Sequence, residues 1–163
     1  MPVSKDAPVK QRAVIVGGAR TPFLRAFGAF TKLDTVALGT AVVRALLARD
    51  DALRREVQCV VWGGVVLPST SVNVGREIVL DSGLPKTVEA YTVTRACTSS
   101  IVAFTQAVSM IESNEADVVI AGGSDSTSNA EVKLPASFVH KTAPVVMSGK
   151  AGVKDYLGLL WKI

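Results

Sequence analysis

Cys97 is the side chain whose type and placement most readily support chemistry in this 163-residue chain. It follows the stretch Glu89–Thr94 after a two-residue link, Arg95-Ala96, and opens a helical pattern beginning Thr98-Ser99-Ser100. A thiol at a helix N-terminus faces unpaired backbone N–H groups and the positive end of the helix dipole, and both favour the thiolate. The same N–H groups stabilise the oxyanion formed when a thiolate attacks a carbonyl. Ala96, Thr98, Ser99 and Ser100 are small and leave room for a substrate to approach. The competing reading is a buried cysteine acting as a small hydrophobe, the commoner fate of a free thiol. Placement alone leaves both open.

The other candidates are weaker. Cys59 sits inside the apolar run Val57–Gly63 (VQCVVWG) and reads as core. His140, the single histidine, lies in Phe138-Val139-His140-Lys141, and nothing ties it to Cys97. A cysteine nucleophile normally needs a base, so an unrelated cysteine hydrolase would have to use His140. Otherwise His140 is a surface or substrate-contact residue. Two cysteines 38 residues apart and one histidine lack the ligand set of a zinc or iron–sulfur site. They do not make a disulfide scaffold either. Gly17-Gly18 and Gly122-Gly123 fit neither G-x-G-x-x-G nor a phosphate loop with its lysine, and read as strand ends. Asn114-Glu115 reads as a helix end and Asp50-Asp51 as a solvated turn.

The elements that must position Cys97 alternate strand and helix. Arg12–Gly17 (RAVIVG) is a short β-branched run, predicted as a buried strand. Asp34 or Thr35 caps a helix whose Leu38, Val42, Ala45 and Leu46 recur at helical spacing. Val57–Gly63 is a second strand. A short helix runs from about Asn73 to Asp81, with Gly83 as its C′ residue. Glu89–Thr94 is a third strand, and Cys97–Ser113 a helix with Ile101, Phe104, Val108 and Ile111 on one face. Asp117–Ala121 is a fourth strand. This order predicts an α/β chain with a mostly parallel sheet and helices on both faces. Residues 1–11 are expected to form a flexible tail, 12–123 the α/β domain, and 124–163 a separate excursion of weak periodicity.

Composition bounds the rest. Hydrophobic residues make up 48% and charged residues 20%, a balance that fits a folded core. A mean hydropathy of +0.36 is high for a free-standing domain and points to faces buried against something outside the chain. No apolar run is long enough for a bilayer span, and no apolar signal core opens the chain, so a cytoplasmic location is expected. The net charge of +4 resides at the ends: residues 13–130 hold ten basic and eleven acidic groups, and five lysines lie in 131–163. Without a basic helix or aromatic platform this does not read as a nucleic-acid surface. The lysines instead suit a phosphorylated substrate.

Three segments together resemble the thiolase family. Arg20-Thr21-Pro22-Phe23 with Gly28 is similar to its opening signature, and Thr92–Ser100 (TVTRACTSS) to the segment carrying its acyl-accepting cysteine. Val118–Asn129 (VVIAGGSDSTSN) is similar to the strand and turn that lead into its loop domain. The resemblance implies the N-terminal half of a thiolase, with residues 124–163 as the beginning of the loop domain. It implies an acyltransferase of the fatty-acid β-oxidation type with Cys97 as catalytic nucleophile. Acyl-CoA and coenzyme A would be substrates, with no permanently bound cofactor and no metal. It also implies a homo-oligomer and association with a multienzyme β-oxidation partner.

The chain departs from the family in one large respect. Thiolases carry a second, similarly folded half with an activating histidine and a second cysteine, and neither motif is found here. The chain alone is therefore expected to be inactive. The alternative is a non-catalytic thiolase-like subunit or truncated fragment that packs on a partner chain.

Overall fold

The computed structural model describes residues 11–148 and 152–160. Two compact units divide at Ala130, and each is described by itself. In the first, α1 (Thr35–Leu47) and α2 (Asp51–Glu56) precede β1 (Cys59–Gly63). There follow α3 (Val74–Ser82), β2 (Glu89–Val93), α4 (Ser99–Glu112), β3 (Val119–Gly123) and a 3-10 turn at Thr127–Asn129.

The sheet has the order β2-β1-β3 and is parallel throughout, with Cys59 paired to both Glu89 and Val119. The step from β1 to β2 goes one way along the sheet through α3, and the step from β2 to β3 returns the other way through α4. Crossovers of one hand that travel in opposite directions place their helices on opposite faces. That is the arrangement seen. Val60 and Trp62 of β1 face Val43, Leu47, Val74 and Ile78 of α1 and α3, while Cys59 and Val61 face Ala103 of α4. The central strand is buried along its whole length, so its sequence is a continuous apolar run rather than an alternating one. Each such fully buried Val or Ile contributes about 1.5–3 kcal/mol of burial free energy.

Caps set the helix boundaries. The Asp34 carboxylate accepts from the Ala37 amide at 2.7 Å, and the side-chain amide oxygen of Asn73 accepts from the Arg76 amide at 3.1 Å. Gly83, at a φ of 76°, ends α3 in the left-handed region.

Several expectations are corrected. Arg12–Gly17 is not a strand: among the described residues it joins no ladder, and Val14, Ile15 and Val16 are 74–84% exposed. Its β-branched composition suits a strand, but the free edge of β3 nearby does not pair with it. Asp50-Asp51 is no simple turn, because the Asp50 carboxylate accepts from the Ala52 amide at 2.8 Å and starts α2. Residues 124–130 hold to the first unit through hydrogen bonds from Ser124, Ser126 and Asn129 to Leu33 and Thr35.

The second unit is helical rather than irregular, with α5 (Ala136–Met147) and α6 (Val153–Leu160) packed on one another. Pro144 inside α5 disguised the helical period, since it removes the amide that would bond the His140 carbonyl one turn back. The tail expected over residues 1–11 falls almost wholly outside the described residues.

Candidate active site

All three strands end at the same side of the sheet, and the loops leaving those ends build the site. In open parallel sheets ligands bind at the carboxyl ends of strands. The loop after β2, Thr94–Thr98, carries Cys97 there with its thiol exposed. Cys97 is thus not a core residue. Cys59 is: it is 2% exposed, and burial, helped by the Glu89 carboxylate nearby, pushes its thiol pKa up and keeps it protonated.

Two glycines bring Cys97's helix onto the sheet. A Cβ at Gly63 would lie 2.5–2.7 Å from the backbone of Ser99 and Ser100, and one at Gly123 would collide with the Ser100 side chain. Only residues without a side chain let the first turn of α4 rest on the ends of β1 and β3. Gly123 is one of the strand-end glycines expected from the sequence, and Gly63 ends the predicted strand Val57–Gly63; both have a packing role at the site.

The turn itself is strained and braced. Ala96 has a φ of 48°, a left-handed conformation that costs a non-glycine residue on the order of 1 kcal/mol. The Ser99 hydroxyl accepts from the Arg95 amide at 2.7 Å and donates to the Ala96 carbonyl at 2.7 Å. Thr98 donates its hydroxyl to the Arg95 carbonyl at 2.8 Å. Together these hold the residue before the exposed Cys97 in its left-handed conformation. No glycine marks this position, so only the hydroxyls at Thr98 and Ser99 hinted at it in the sequence.

The helix begins at Ser99 and not at Cys97, with Thr98 as N-cap. This changes the oxyanion expectation. The Thr98 and Ser99 amides already donate to the Arg95 and Ala96 carbonyls, at 3.1 Å each. These two donors serve the turn.

The neighbouring loops form a polar platform. Asp125 accepts from the Val65 and Val66 amides at 2.8 and 2.6 Å through one carboxylate oxygen. Trp62 donates its indole N–H to Ser124, which donates on to the Thr35 carbonyl. Asn129 donates to the Thr31 and Leu33 carbonyls. Ser124, Asp125 and Asn129 fall in the Val118–Asn129 segment that the sequence singles out, but no role is legible there for Asp125 or Asn129, which fasten three loops. His140 lies exposed on α5 in the second unit. Among the described residues, no group of three or more His, Cys, Asp or Glu could hold a metal ion, and no helix is long and apolar enough to cross a membrane.

A parallel α/β sheet whose edge strand runs into an exposed cysteine on a strained turn defines a thiol-bearing α/β protein. The family model described as thiolase, N-terminal domain, matches residues 13–157, and the chain belongs to the thiolase family. It is 36% identical over 130 residues to a 3-ketoacyl-CoA thiolase of Shewanella pealeana, covering 80% of this chain and 30% of that one. It is 40% identical over 118 residues to one from Aeromonas salmonicida, covering 72% and 27%. Among solved structures it resembles the acetyl-CoA acetyltransferase of Bacillus anthracis, with a TM-score of 0.75 at 28% identity over 79% of this chain and 33% of that chain. It also resembles the Acat5 thiolase of Ascaris suum in complex with coenzyme A, with a TM-score of 0.69 at 28% identity over 73% and 31%. The chain therefore spans about a third or less of the length of the relatives it matches.

Proposed function

We propose that this chain supplies the acyl-accepting cysteine of a 3-ketoacyl-CoA thiolase or acetyl-CoA acyltransferase. The observation that carries the reading is the exposed Cys97 on its braced turn at the carboxyl end of the sheet, within a segment matched by the thiolase model. The Cys97 thiolate would attack the C3 carbonyl of a 3-ketoacyl-CoA, forming a carbon–sulfur bond. Cleavage of the C2–C3 bond then sends its electron pair to the departing acetyl-CoA carbanion, which takes up a proton. The coenzyme A thiolate attacks the resulting thioester and displaces Cys97 as thiolate. Run in the other direction, the acyl group passes to the acetyl-CoA carbanion.

A base for Cys97 and for the carbanion proton is not among the groups hydrogen-bonded at the Cys97 turn, where hydroxyls and backbone amides predominate. We place it in polypeptide outside the described residues, consistent with relatives about three times as long, so the 163-residue chain alone is inactive in turnover. A cytoplasmic β-oxidation setting, a homo-oligomer and a multienzyme partner belong to the same proposal and rest on the family resemblance alone.

Intact mass spectrometry of the natively expressed protein, before and after acetyl-CoA, tests this. Gain of one acetyl group that is lost in Cys97→Ala supports it. An acetyl gain unchanged by Cys97→Ala overturns it. No gain at all favours a second reading, a non-catalytic thiolase-like subunit that packs on a partner, for which the large exposed residues Ile101 and Phe104 on α4 speak.

A further inference from the structure

The backbone leaving β1 is gripped by two side chains from other elements. Asp125, just past the end of β3, takes the Val65 amide at 2.8 Å and the Val66 amide at 2.6 Å on one carboxylate oxygen. Hydrogen bonds to a carboxylate are about twice as strong as neutral ones. Thr35, at the start of α1, donates its hydroxyl to the Val66 carbonyl at 3.0 Å and accepts from the Ser126 amide at 3.3 Å. The two loops pass close together: a Cβ at Gly64 would lie 3.4 Å from the Ser124 carbonyl and 3.8 Å from the Asp125 carboxylate.

This grip adjoins the seat of the Cys97 turn. The ladder of β1 ends at Gly63, the residue on which the Ser99 and Ser100 backbone rests. Gly64 donates to the Val93 carbonyl at 3.1 Å, and Val93 is the last residue of β2 before the loop that carries Cys97. Past Gly64 the chain has no ladder partner among the described residues, so Asp125 and Thr35 set where the end of β1 lies. A path of direct contacts thus runs from Asp125 to the 64–66 segment, from Gly63 to Ser99, and from Ser99 to Arg95 and Ala96 on either side of the left-handed step.

We infer that Asp125 is a positioning residue for Cys97: it fixes the end of β1, on which the first turn of α4 and the Ala96 step are seated. The inference rests on the reading of Cys97 as acyl acceptor. Asp125 acts through the backbone it holds, since its bonds go to the Val65 and Val66 amides. Displacing a reacting group by about 1 Å costs on the order of a hundredfold in rate, so slack at this carboxylate is felt at the thiol.

The test follows acetylation of Cys97 in the natively expressed protein over a range of acetyl-CoA concentrations, read by intact mass. Asp125→Ala lowers the limiting rate by about tenfold or more at an unchanged half-saturating concentration. Asp125→Asn keeps an oxygen that accepts from both amides and stays within about twofold of wild type. Arg76→Ala removes bonds to the Val88 and Lys86 carbonyls at the amino end of β2, and it weakens the fold without slowing Cys97. Hydrogen exchange at the Arg95 and Ser99 amides of the 163-residue protein gives a second reading, which Asp125→Ala speeds by about tenfold and Asp125→Asn leaves unchanged. Asp125 is exposed, and Asp125→Ser, too short to span both amides, replaces the alanine variant if that does not fold. Wild-type rate and exchange in Asp125→Ala overturn the inference. An Asp125→Asn as slow as Asp125→Ala also overturns it, because charge and not position would then be the cause, and so does equal slowing by Arg76→Ala. Wild-type protein that takes up no acetyl group at Cys97 instead overturns the acyl-acceptor reading, and the exchange result alone then decides whether Asp125 holds the turn.

Discussion

The Ser99 hydroxyl donates to the carbonyl of Ala96 at 2.7 Å, closing a turn around the one residue that separates Cys97 from Arg95. The same oxygen accepts from Arg95, so a single hydroxyl satisfies both ends of a left-handed step. Ser99 itself is buried at 4% exposure, so its hydroxyl has these protein partners in place of water. The geometry of Cys97 is therefore delegated to its neighbour two residues on.

Ser99→Ala leaves the Arg95 amide and Ala96 carbonyl without this partner. The expected loss is about 1–3 kcal/mol in chemical denaturation. Alkylation of Cys97 should change rate by more in this variant than in Thr105→Ala, a hydroxyl on the same helix that bonds only its own turn. Equal alkylation rates in the two variants would show that the Ser99 brace does not set the thiol.

Gly63→Ala and Gly123→Ala drive a methyl into the first turn of α4. Because the atoms met at Gly63 are backbone, they cannot rotate away, and a cost of about 1–3 kcal/mol is expected. Gly18→Ala meets nothing within 4 Å and serves as the neutral comparison in thermal melts.

The two thiols should separate cleanly under a thiol reagent. Native protein is expected to label once, at Cys97, while Cys59 labels only after denaturant is added. Two fast labels in native protein would mean that β1 is not the buried centre of the sheet.

Burial raises the pKa of the Cys59 thiol, with Glu89 adding to it, and burial also raises that of the Tyr91 phenol, with Cys59 and Glu115 adding to it. A raised folded value means that the unfolded chain releases its proton first. The stability from both groups is complete below the ordinary thiol value of 9.0 and is lost as pH climbs through that value toward the folded one. Denaturant midpoints should therefore fall above pH 9.0, and Cys59→Ala should fall less steeply over the same range.

Much of this arrangement was legible beforehand because its causes are local. Asp34, Asn73 and Gly83 mark helix ends through their own side-chain or backbone chemistry, and the run around Val60 and Trp62 could only be a strand buried on both faces. One failure has a non-local cause, and the others lie in single residues that mask or omit the local signal. Arg12–Gly17 has the composition of a strand, but whether a strand forms depends on a partner edge, which composition does not encode. The helix α5 was hidden by Pro144, and the cap at Asp50 by its resemblance to a charged turn. The bend at Ala96 left no trace at all, since alanine does not signal a positive φ. Cys97 was found by its neighbours, but its helix starts two residues later than expected, which makes the Thr98 and Ser99 amides braces of the turn rather than oxyanion donors.

The register that pairs Cys59 with Val119 has a consequence for how the protein is born. The central strand leaves the ribosome sixty residues ahead of its second neighbour. At cellular translation speeds of about 5–20 residues per second, one edge of that strand waits roughly 3–12 seconds for its mate. During that interval the nascent chain carries an oily, unpaired ribbon, and a chaperone that shields such ribbons would find its client here.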